Sequence, residues 1–435
     1  MSDFEAPTVV ERKVARRLLW ILMPGMLFAF MDRINISFAA PTMNPALGID
    51  AATFGLGAGI FFLGYMLFEV PSNMVLARVG ARYWISRIMI SWGLVAALMA
   101  FATGTTSFLS LRFLLGVAEA GFIPGVMLYA SYWVSAKRLG SFNSWLLLMV
   151  PVAGFTTALI SGAILKLDGV LGFAGWQWIF ILEGLPPVIL GFIALGCLDD
   201  RPADARWLTE SEKGRIEALT ASRKEASHVP VKAALSLAVK NPLVWALALA
   251  YFLMNFALGA QPWFPLLLGQ LKLSSTEIAF AVAIPNLLAA VAMVFWGKRS
   301  DRRGERLNHL LIAATVSALG WVLCGYGSAS AGVMLAGIAL ALVGLFASLV
   351  VFWTIPINVM TVEARPAGIG LVTCVGLLGS FLSPTITGYL KDLSGNFTAG
   401  MYLAAAGILL SAILVRISVA KPLLVVQKPA ADVTA

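Results

Sequence analysis

Charge is scarce in this sequence. Only 12% of its 435 residues are Asp, Glu, Lys or Arg, while 60% are hydrophobic. A soluble domain carries about twice that share of charge, so an ordinary globular fold is excluded. Histidine is nearly absent. The two present, His228 and His309, lie in polar connections. The three cysteines, Cys197, Cys324 and Cys374, each sit in or at the end of an apolar run. None has a metal-ligand spacing, so neither a disulfide framework nor a metal centre organises the chain. No Ser-His-Asp set, metal dyad or phosphate-cradling glycine loop is visible, and an enzyme would leave such a mark. The first apolar run, Leu18 to Ala40, contains the charged pair Asp32-Arg33 and lacks a small-residue cleavage site. It reads as a membrane helix rather than a cleavable leader.

Long apolar runs are abundant, and the mean hydropathy is +0.88. Twelve runs approach the roughly 20 residues that cross a bilayer. Six fall within 17–197 and six within 242–419, separated by a polar stretch at 198–241. The expected fold is all-α and integral to the membrane, with twelve transmembrane helices in two pseudo-symmetric six-helix bundles. Residues 1–16, the central loop 198–241 and the tail 420–435 are expected to be cytoplasmic. The net charge of +9 resides between the runs, where it orients the chain rather than binding nucleic acid. Of 31 Lys and Arg, 26 fall on the side of the termini. Only Lys166, Lys272 and Lys391 fall on the other side, and Arg33 and Arg112 lie inside spans. This bias places both termini in the cytoplasm.

A repeat supports duplication. The second-to-third connection reads Ala77-Arg-Val-Gly-Ala-Arg82, and the eighth-to-ninth reads Asp301-Arg-Arg-Gly-Glu-Arg306. Both have the form x-Arg-x-Gly-x-Arg, with Gly80 and Gly304 for a tight turn. Arg78, Arg82, Arg302 and Arg306 are placed to bond helix ends or carboxylates. These residues and Asp301 are the candidate gating loops, expected to bridge helix ends on the cytoplasmic side in the outward-facing state.

The stretch Gly297-Lys-Arg-Ser-Asp-Arg-Arg-Gly-Glu-Arg306 resembles the signature loop of the major facilitator superfamily. Asp32-Arg-Ile-Asn-Ile-Ser37, Gly64-Tyr-Met-Leu-Phe-Glu-Val-Pro-Ser-Asn73 and Arg112-Phe-Leu-Leu-Gly-Val-Ala-Glu-Ala-Gly-Phe-Ile-Pro-Gly125 resemble its anion:cation symporter branch. So do Gly175-Trp-Gln-Trp-Ile-Phe-Ile-Leu-Glu-Gly184 and Phe352-Trp-Thr-Ile-Pro356. The resemblance implies a bacterial inner-membrane protein that takes up a carboxylate together with protons, such as a sugar acid, a tartrate-like diacid or an aromatic acid. It also implies that Asp32 and Glu119 are the proton-coupling pair. The chain departs from the pattern at Ala77, where an aspartate is usual. It departs again at Thr373, Cys374 and Leu377, where relatives often carry asparagines, and in lacking an arginine in the seventh span.

Ionisable groups at membrane depth are costly unless they are paired, protonated or facing water. Here they are Asp32, Arg33, Glu69, Arg112, Glu119 and Glu183. Arg112 and Glu119 share one helix face two turns apart, whereas the neighbours Asp32 and Arg33 point in different directions. Arg33 and Arg112 are candidates to hold a substrate carboxylate. Asp32 and Glu119 are candidates to accept a proton once a substrate takes their place on an arginine. The competing reading is a set of static salt bridges between helices. Glu69 and Glu183 read as structural, Glu69 pairing with a loop arginine.

Tyr65, Asn255, Gln261, Trp353 and Thr373 complete the candidate substrate-binding set. Gln261-Pro-Trp-Phe-Pro265 is expected to break the seventh span, with Trp353 and Pro356 in the matching part of the tenth. Glycine runs at 55–59 and 116–125 are expected to mark helix contacts that rock. The reading is a secondary transporter with a small organic anion and protons as partners, and with no cofactor, nucleic-acid partner or required oligomer. Exchange, uniport and export of the same solute class are the alternatives, with a non-transporting sensor further off. The fifth span lacks the Gly-x-x-x-Gly-Pro-x-x-Gly-Gly pattern associated with drug antiporters.

Overall fold

The computed structural model describes residues 8–225, 231–326, 330–360 and 365–427. The rest of the N-terminal segment, central stretch and tail lies outside the described residues, as do the side chains of Lys137, Arg223 and Lys224. Among the described residues all regular structure is helical, and twelve helical segments are long and apolar enough to cross a membrane. Their ends run past the apolar bands. Span 1 (Val9–Leu47) begins well before residue 17, because Thr8 and Glu11 form a reciprocal cap that starts the helix in polar sequence. Span 8 (Ser275–Arg303) runs on to Gly304. The helix of span 12 (Thr398–Val419) continues to Gln427, so the expected tail begins as helix. An apolar run measures the bilayer, and a helix satisfies its own backbone on either side of it.

The central stretch is not a plain loop. It holds helices Glu210–Glu225 and Val231–Lys240. The first is mostly polar, with Ile216 alone of its described side chains in the apolar core, and so gives a weak amphipathic signal. Its start is a capping pair in which the Thr209 backbone donates to Glu212 at 2.9 Å and Thr209 Oγ1 accepts from the Glu212 backbone at 3.3 Å.

Three spans are broken. Span 7 (Pro242–Gly269) changes from α-helix to a tight turn at Gln261–Trp263, where Pro262 and Pro265 lack the backbone donors a helix requires. Span 10 (Ala331–Pro356) is interrupted at Trp353. The break in span 4 (Thr105–Trp133) is unforeseen. Its first helix ends at Glu119 and its second begins at Phe122, with Gly121 at φ 85° between them. A β-carbon on Gly121 would also collide with the Ser72 side chain of span 2 (Ala51–Val79).

Both signature loops turn on a left-handed glycine, Gly80 at φ 100° and Gly304 at φ 63°. Each is tied within its own half. The Arg82 backbone donates to Asp200 at 2.9 Å and its Nε to the Leu195 carbonyl at 2.6 Å. Arg306 pairs with Asp301 at 2.7 Å and donates to Ser300 Oγ at 2.9 Å. Arg78 and Arg302 are exposed.

The halves meet on the side away from the termini. There one apolar cluster runs continuously from Ile36, Phe54 and Phe108 of the first half into Trp263, Ile278 and Phe397 of the second. On the terminal side the first half has a separate core around Leu18, Ile85, Tyr129 and Trp133. The seam is closed by backbone contact. The Ala52 amide donates to Asp392 at 2.7 Å, and the Phe54 and Trp263 rings meet edge to face at 5.1 Å. A β-carbon on Gly55 would strike the Pro384 carbonyl, one on Gly59 the Phe381 carbonyl, and one on Gly388 the Ala51 carbonyl. Gly154 and Gly162 of span 5 (Arg138–Leu167) stand likewise against Asn286 and Ala279 of span 8. Gly116, by contrast, packs on Phe61 inside its own half. Gly55 and Gly59 therefore lie on the seam, while Gly57, against Phe108, and Gly116 lie at contacts within one half.

The seam supplies a prediction. Gly55→Leu should hold the halves apart on the side away from the termini. Introduce Ser37→Cys, replace the three native cysteines with serine, and label from that side with an impermeant maleimide. The labelling rate should rise severalfold in Gly55→Leu, and an unchanged rate would show that the halves do not part along these helices.

Candidate functional site

The buried charges form two clusters. In the first, Arg33 Nε donates to Glu119 Oε1 at 3.0 Å, and Nη2 contacts the same oxygen. The Glu119 side chain is fully buried and that of Arg33 is 12% exposed. Glu119 Oε2 has no partner. Because the helix break follows Glu119 directly, the carboxylate sits at the negative end of a helix dipole, which increases its dependence on Arg33. The guanidinium lies against aromatic rings, 5.0 Å from Tyr65 and 5.3 Å from Phe61. Arg112 approaches the Phe61 ring as well, at 5.2 Å. Its Nε donates to the Gly57 carbonyl at 2.9 Å, while its Nη1 is buried without a partner. Two guanidiniums thus flank one phenylalanine, one neutralised by a carboxylate and the other lacking a counter-ion in contact. The buried Tyr65 hydroxyl beside them has no partner.

The second cluster faces the other way. Asp32 accepts from Trp92 Nε1 at 2.9 Å and from Asn35 Nδ2 at 3.3 Å. Glu183 accepts from Ser161 Oγ at 2.6 Å. The adjacent Asp32 and Arg33 therefore serve different partners, as their roughly 100° angular separation on a helix requires.

Glu69 differs from the expectation. It is half-buried, and among the described residues it makes no ion pair with any loop arginine. Lying one turn beyond Tyr65 on span 2, it is held at membrane depth, whereas the nearest loop arginines face solvent or bond to their own half.

The second half contributes neutral groups. Gln261 and Asn286 share with Arg33 and Ser37 a small space of about 30 Å³, room for a single water. Gln261 Nε2 has no partner. Asn255 donates to the Tyr251 carbonyl at 2.9 Å and accepts from Ser380 at 3.2 Å. Tyr251 stacks on Phe352 at 5.2 Å and meets Trp353 edge-on at 4.9 Å. Thr373 bonds back to the Ile369 carbonyl at 2.9 Å and adds no free donor. Arg33, Tyr65, Arg112 and Glu119 are thus brought together. Gln261 meets Arg33 across the halves, Asn255 and Trp353 join through Tyr251, and Asp32 stands apart. Asn286 and Tyr251 are absent from the sequence-based set, although Asn286, a lone amide in an apolar run, carries the signal that singled out Asn255.

The description "Major Facilitator Superfamily" belongs to a family model that matches residues 22–363 and 262–434. A protein of Agrobacterium vitis named "Putative tartrate transporter" is 44% identical over 95% of this chain and 91% of its own length. A "Quinolone resistance transporter" of Acinetobacter baumannii is 36% identical over 94% of this chain and 96% of its own. Among solved structures, a bacterial homologue of the human lysosomal transporter Spinster superposes with a TM-score of 0.72 at 19% identity. It covers 98% of this chain and 100% of that one.

The pair at the centre of the site yields a stability prediction. Removing one member of a buried ion pair typically costs about 3–5 kcal/mol, and removing both with apolar or neutral replacements costs far less. Arg33→Met and Glu119→Gln should each destabilise the detergent-solubilised protein, and the double variant should be more stable than the sum of the two losses allows. Chemical unfolding of all four proteins measures the coupling, and strict additivity would show that the pair contributes nothing.

Proposed function

The chain belongs to the major facilitator superfamily and is a multi-pass membrane transporter, and we propose that it takes up a small organic anion together with protons. One observation carries the reading: two buried guanidiniums flank Phe61, only one of them is neutralised by contact with a carboxylate, and that carboxylate belongs to the protein. A substrate carboxylate arriving at Arg33 and Arg112 competes with Glu119 for the same bidentate donors. Once displaced, Glu119 is a buried carboxylate without a cation, and binding a proton removes that penalty. Substrate and proton then enter as a unit.

The charge count supports this reading. Across the two clusters Asp32, Glu119 and Glu183, with half-buried Glu69 beyond Tyr65, outnumber Arg33 and Arg112. Protonation of a carboxyl moves this set toward neutrality, which a low-dielectric interior favours. Asp32, bonded to Trp92 and Asn35 rather than to an arginine, is the second proposed proton carrier. Tyr65, Gln261, Asn255 and Trp353 are the proposed contacts for the rest of the substrate. Thr373 is also on that list, through van der Waals contact rather than hydrogen bonding. The "tartrate" in the name of the Agrobacterium vitis relative agrees with a hydroxy-diacid, and sugar acids and aromatic acids carry the same carboxylate.

The 26-to-3 distribution of cationic residues supports placing the termini in the cytoplasm, in an inner membrane. The closed seam then faces outward. The 78–82 and 301–306 loops, each bonded within its own half here, are proposed to bridge the halves in the opposite state. A monomer contains every element of this scheme. Export is the second reading, favoured by the name of the Acinetobacter baumannii relative, and exchange accompanies it as a mode the same site permits.

Uptake of labelled carboxylates into proteoliposomes tests the proposal, with and without an inward proton gradient, for wild type and Glu119→Gln. Accumulation in wild type should follow the gradient. In the variant, accumulation should be lost while exchange of internal for external substrate persists. Accumulation that ignores the gradient, or that survives Glu119→Gln, would point to exchange or uniport with a structural Glu119.

A further inference from the structure

A second cationic site lies far from the buried arginines, at the start of span 1. Four basic residues occupy the first turns of that helix, Arg12, Lys13, Arg16 and Arg17. The i, i+4 spacing aligns Arg12 with Arg16 and Lys13 with Arg17 in two adjacent rows. These rows border an open cavity of about 750 Å³ whose far wall is Trp207 of the central stretch, within the range of sites that hold small molecules or headgroups.

The two rows are bound differently. Lys13 pairs with Glu212 at 2.9 Å. Arg17 lies 4.7 Å from the Trp207 ring and reaches the Cys197 carbonyl at 3.4 Å. These contacts hold the central stretch against span 1 and fix the wall. Arg12 and Arg16 are exposed, and among the described residues their side chains make no hydrogen bond or ion pair. Glu11, the nearest acid in sequence, is occupied by Thr8, Ser135 and Arg138. One turn further into the span stands Trp20, 65% exposed, with Ile21 beside it on the cavity floor. The cavity therefore has at its polar mouth two guanidiniums that are unpaired among the described residues, and exposed apolar surface one turn further in.

We propose that this cavity binds the headgroup of an anionic phospholipid. The phosphodiester is held by Arg12 and Arg16, and an acyl chain lies along Trp20. Guanidinium forks match phosphate oxygens, and basic pockets between helices at the cytoplasmic surface select acidic headgroups. A soluble anion would satisfy the guanidiniums and leave Trp20 uncovered, whereas a lipid meets both halves of the cavity. Occupancy would brace the span 1–Trp207–Glu212 contact, which ties the connection between the two bundles to the first of them.

The experiment uses the full chain in detergent. Wild type, Arg12→Gln/Arg16→Gln and a control, Lys298→Gln/Arg299→Gln, are supplied with phosphatidylglycerol or phosphatidylcholine. Retained lipid is counted by native mass spectrometry, and Tm is recorded in parallel. The control removes two exposed charges elsewhere on the same side. Wild type and control should retain phosphatidylglycerol over phosphatidylcholine, and Arg12→Gln/Arg16→Gln should reduce that preference on the order of tenfold. Inorganic phosphate should neither raise Tm nor displace the lipid. The proposal is overturned by equal retention of both lipids, by the same loss in the control, or by phosphate reproducing the effect. Should the double variant fail to insert, Arg16→Gln alone carries the test with a smaller expected loss.

Discussion

A charge removed from water must find a counter-charge, and the arrangement of this bundle follows from that requirement at Arg33. Its guanidinium lies among Phe30, Phe61, Phe62 and Tyr65, surfaces that attract a cation without neutralising it. Among the described residues only Glu119 neutralises it. That single pair joins span 1 to span 4 across the apolar interior. The break at Ala120–Gly121 releases span 4 from helical geometry immediately after Glu119, so the carboxylate is placed for Arg33 while the following helix takes its direction from Ser72 and Asn73 of span 2.

The second constraint is steric. On the side away from the termini the two halves touch backbone to backbone, at Gly55, Gly59 and Gly388. Glycine is needed there because any β-carbon would meet a carbonyl, and close approach is what van der Waals packing between membrane helices requires. An interface of glycine contacts and apolar rings separates with little loss of directional bonding. The bonds crossing it are few: the Ala52 amide to Asp392, and Thr385 Oγ1 to the Gly55 carbonyl at 3.5 Å. Such a seam suits two alternative packings better than one permanent one.

Much of this was legible in the sequence because membranes restrict what a chain can do. Twelve apolar runs became twelve spans, and proline predicted the interruptions at Gln261–Trp263 and after Trp353. The opposed directions of Asp32 and Arg33 follow from helix geometry alone. What stayed hidden depends on partners distant in sequence. Gly121 resembled the surrounding packing glycines, and only its positive φ marks a break. Glu69 was expected to meet a loop arginine, but Arg82 is taken by Asp200 and the Leu195 carbonyl. The helix Glu210–Glu225 has no apolar stripe to reveal it, though Thr209 and Glu212 spell its cap. Tyr251 passed as one aromatic among many until its stacking on Phe352 and its edge-on contact with Trp353 gave it a place.

The unequal division of charge between the halves has a mechanistic consequence under the proposed function. The charges of the candidate site, Asp32, Arg33, Arg112, Glu119 and Glu183, lie in the first half, while Tyr251, Asn255, Gln261, Asn286 and Trp353 of the second are neutral. Recognition of the carboxylate and exchange of the proton then occur within one rigid body, whose internal distances do not change as the halves rock. The second half reads shape and hydroxyl pattern, and its contact with the substrate is what the rocking makes and breaks. An ion pair spanning the two halves would have to be torn apart in each cycle, at several kcal/mol for a buried pair. Keeping Arg33 and Glu119 on the same side of the seam avoids that barrier, and leaves the substrate carboxylate as the one charge that needs to change partners.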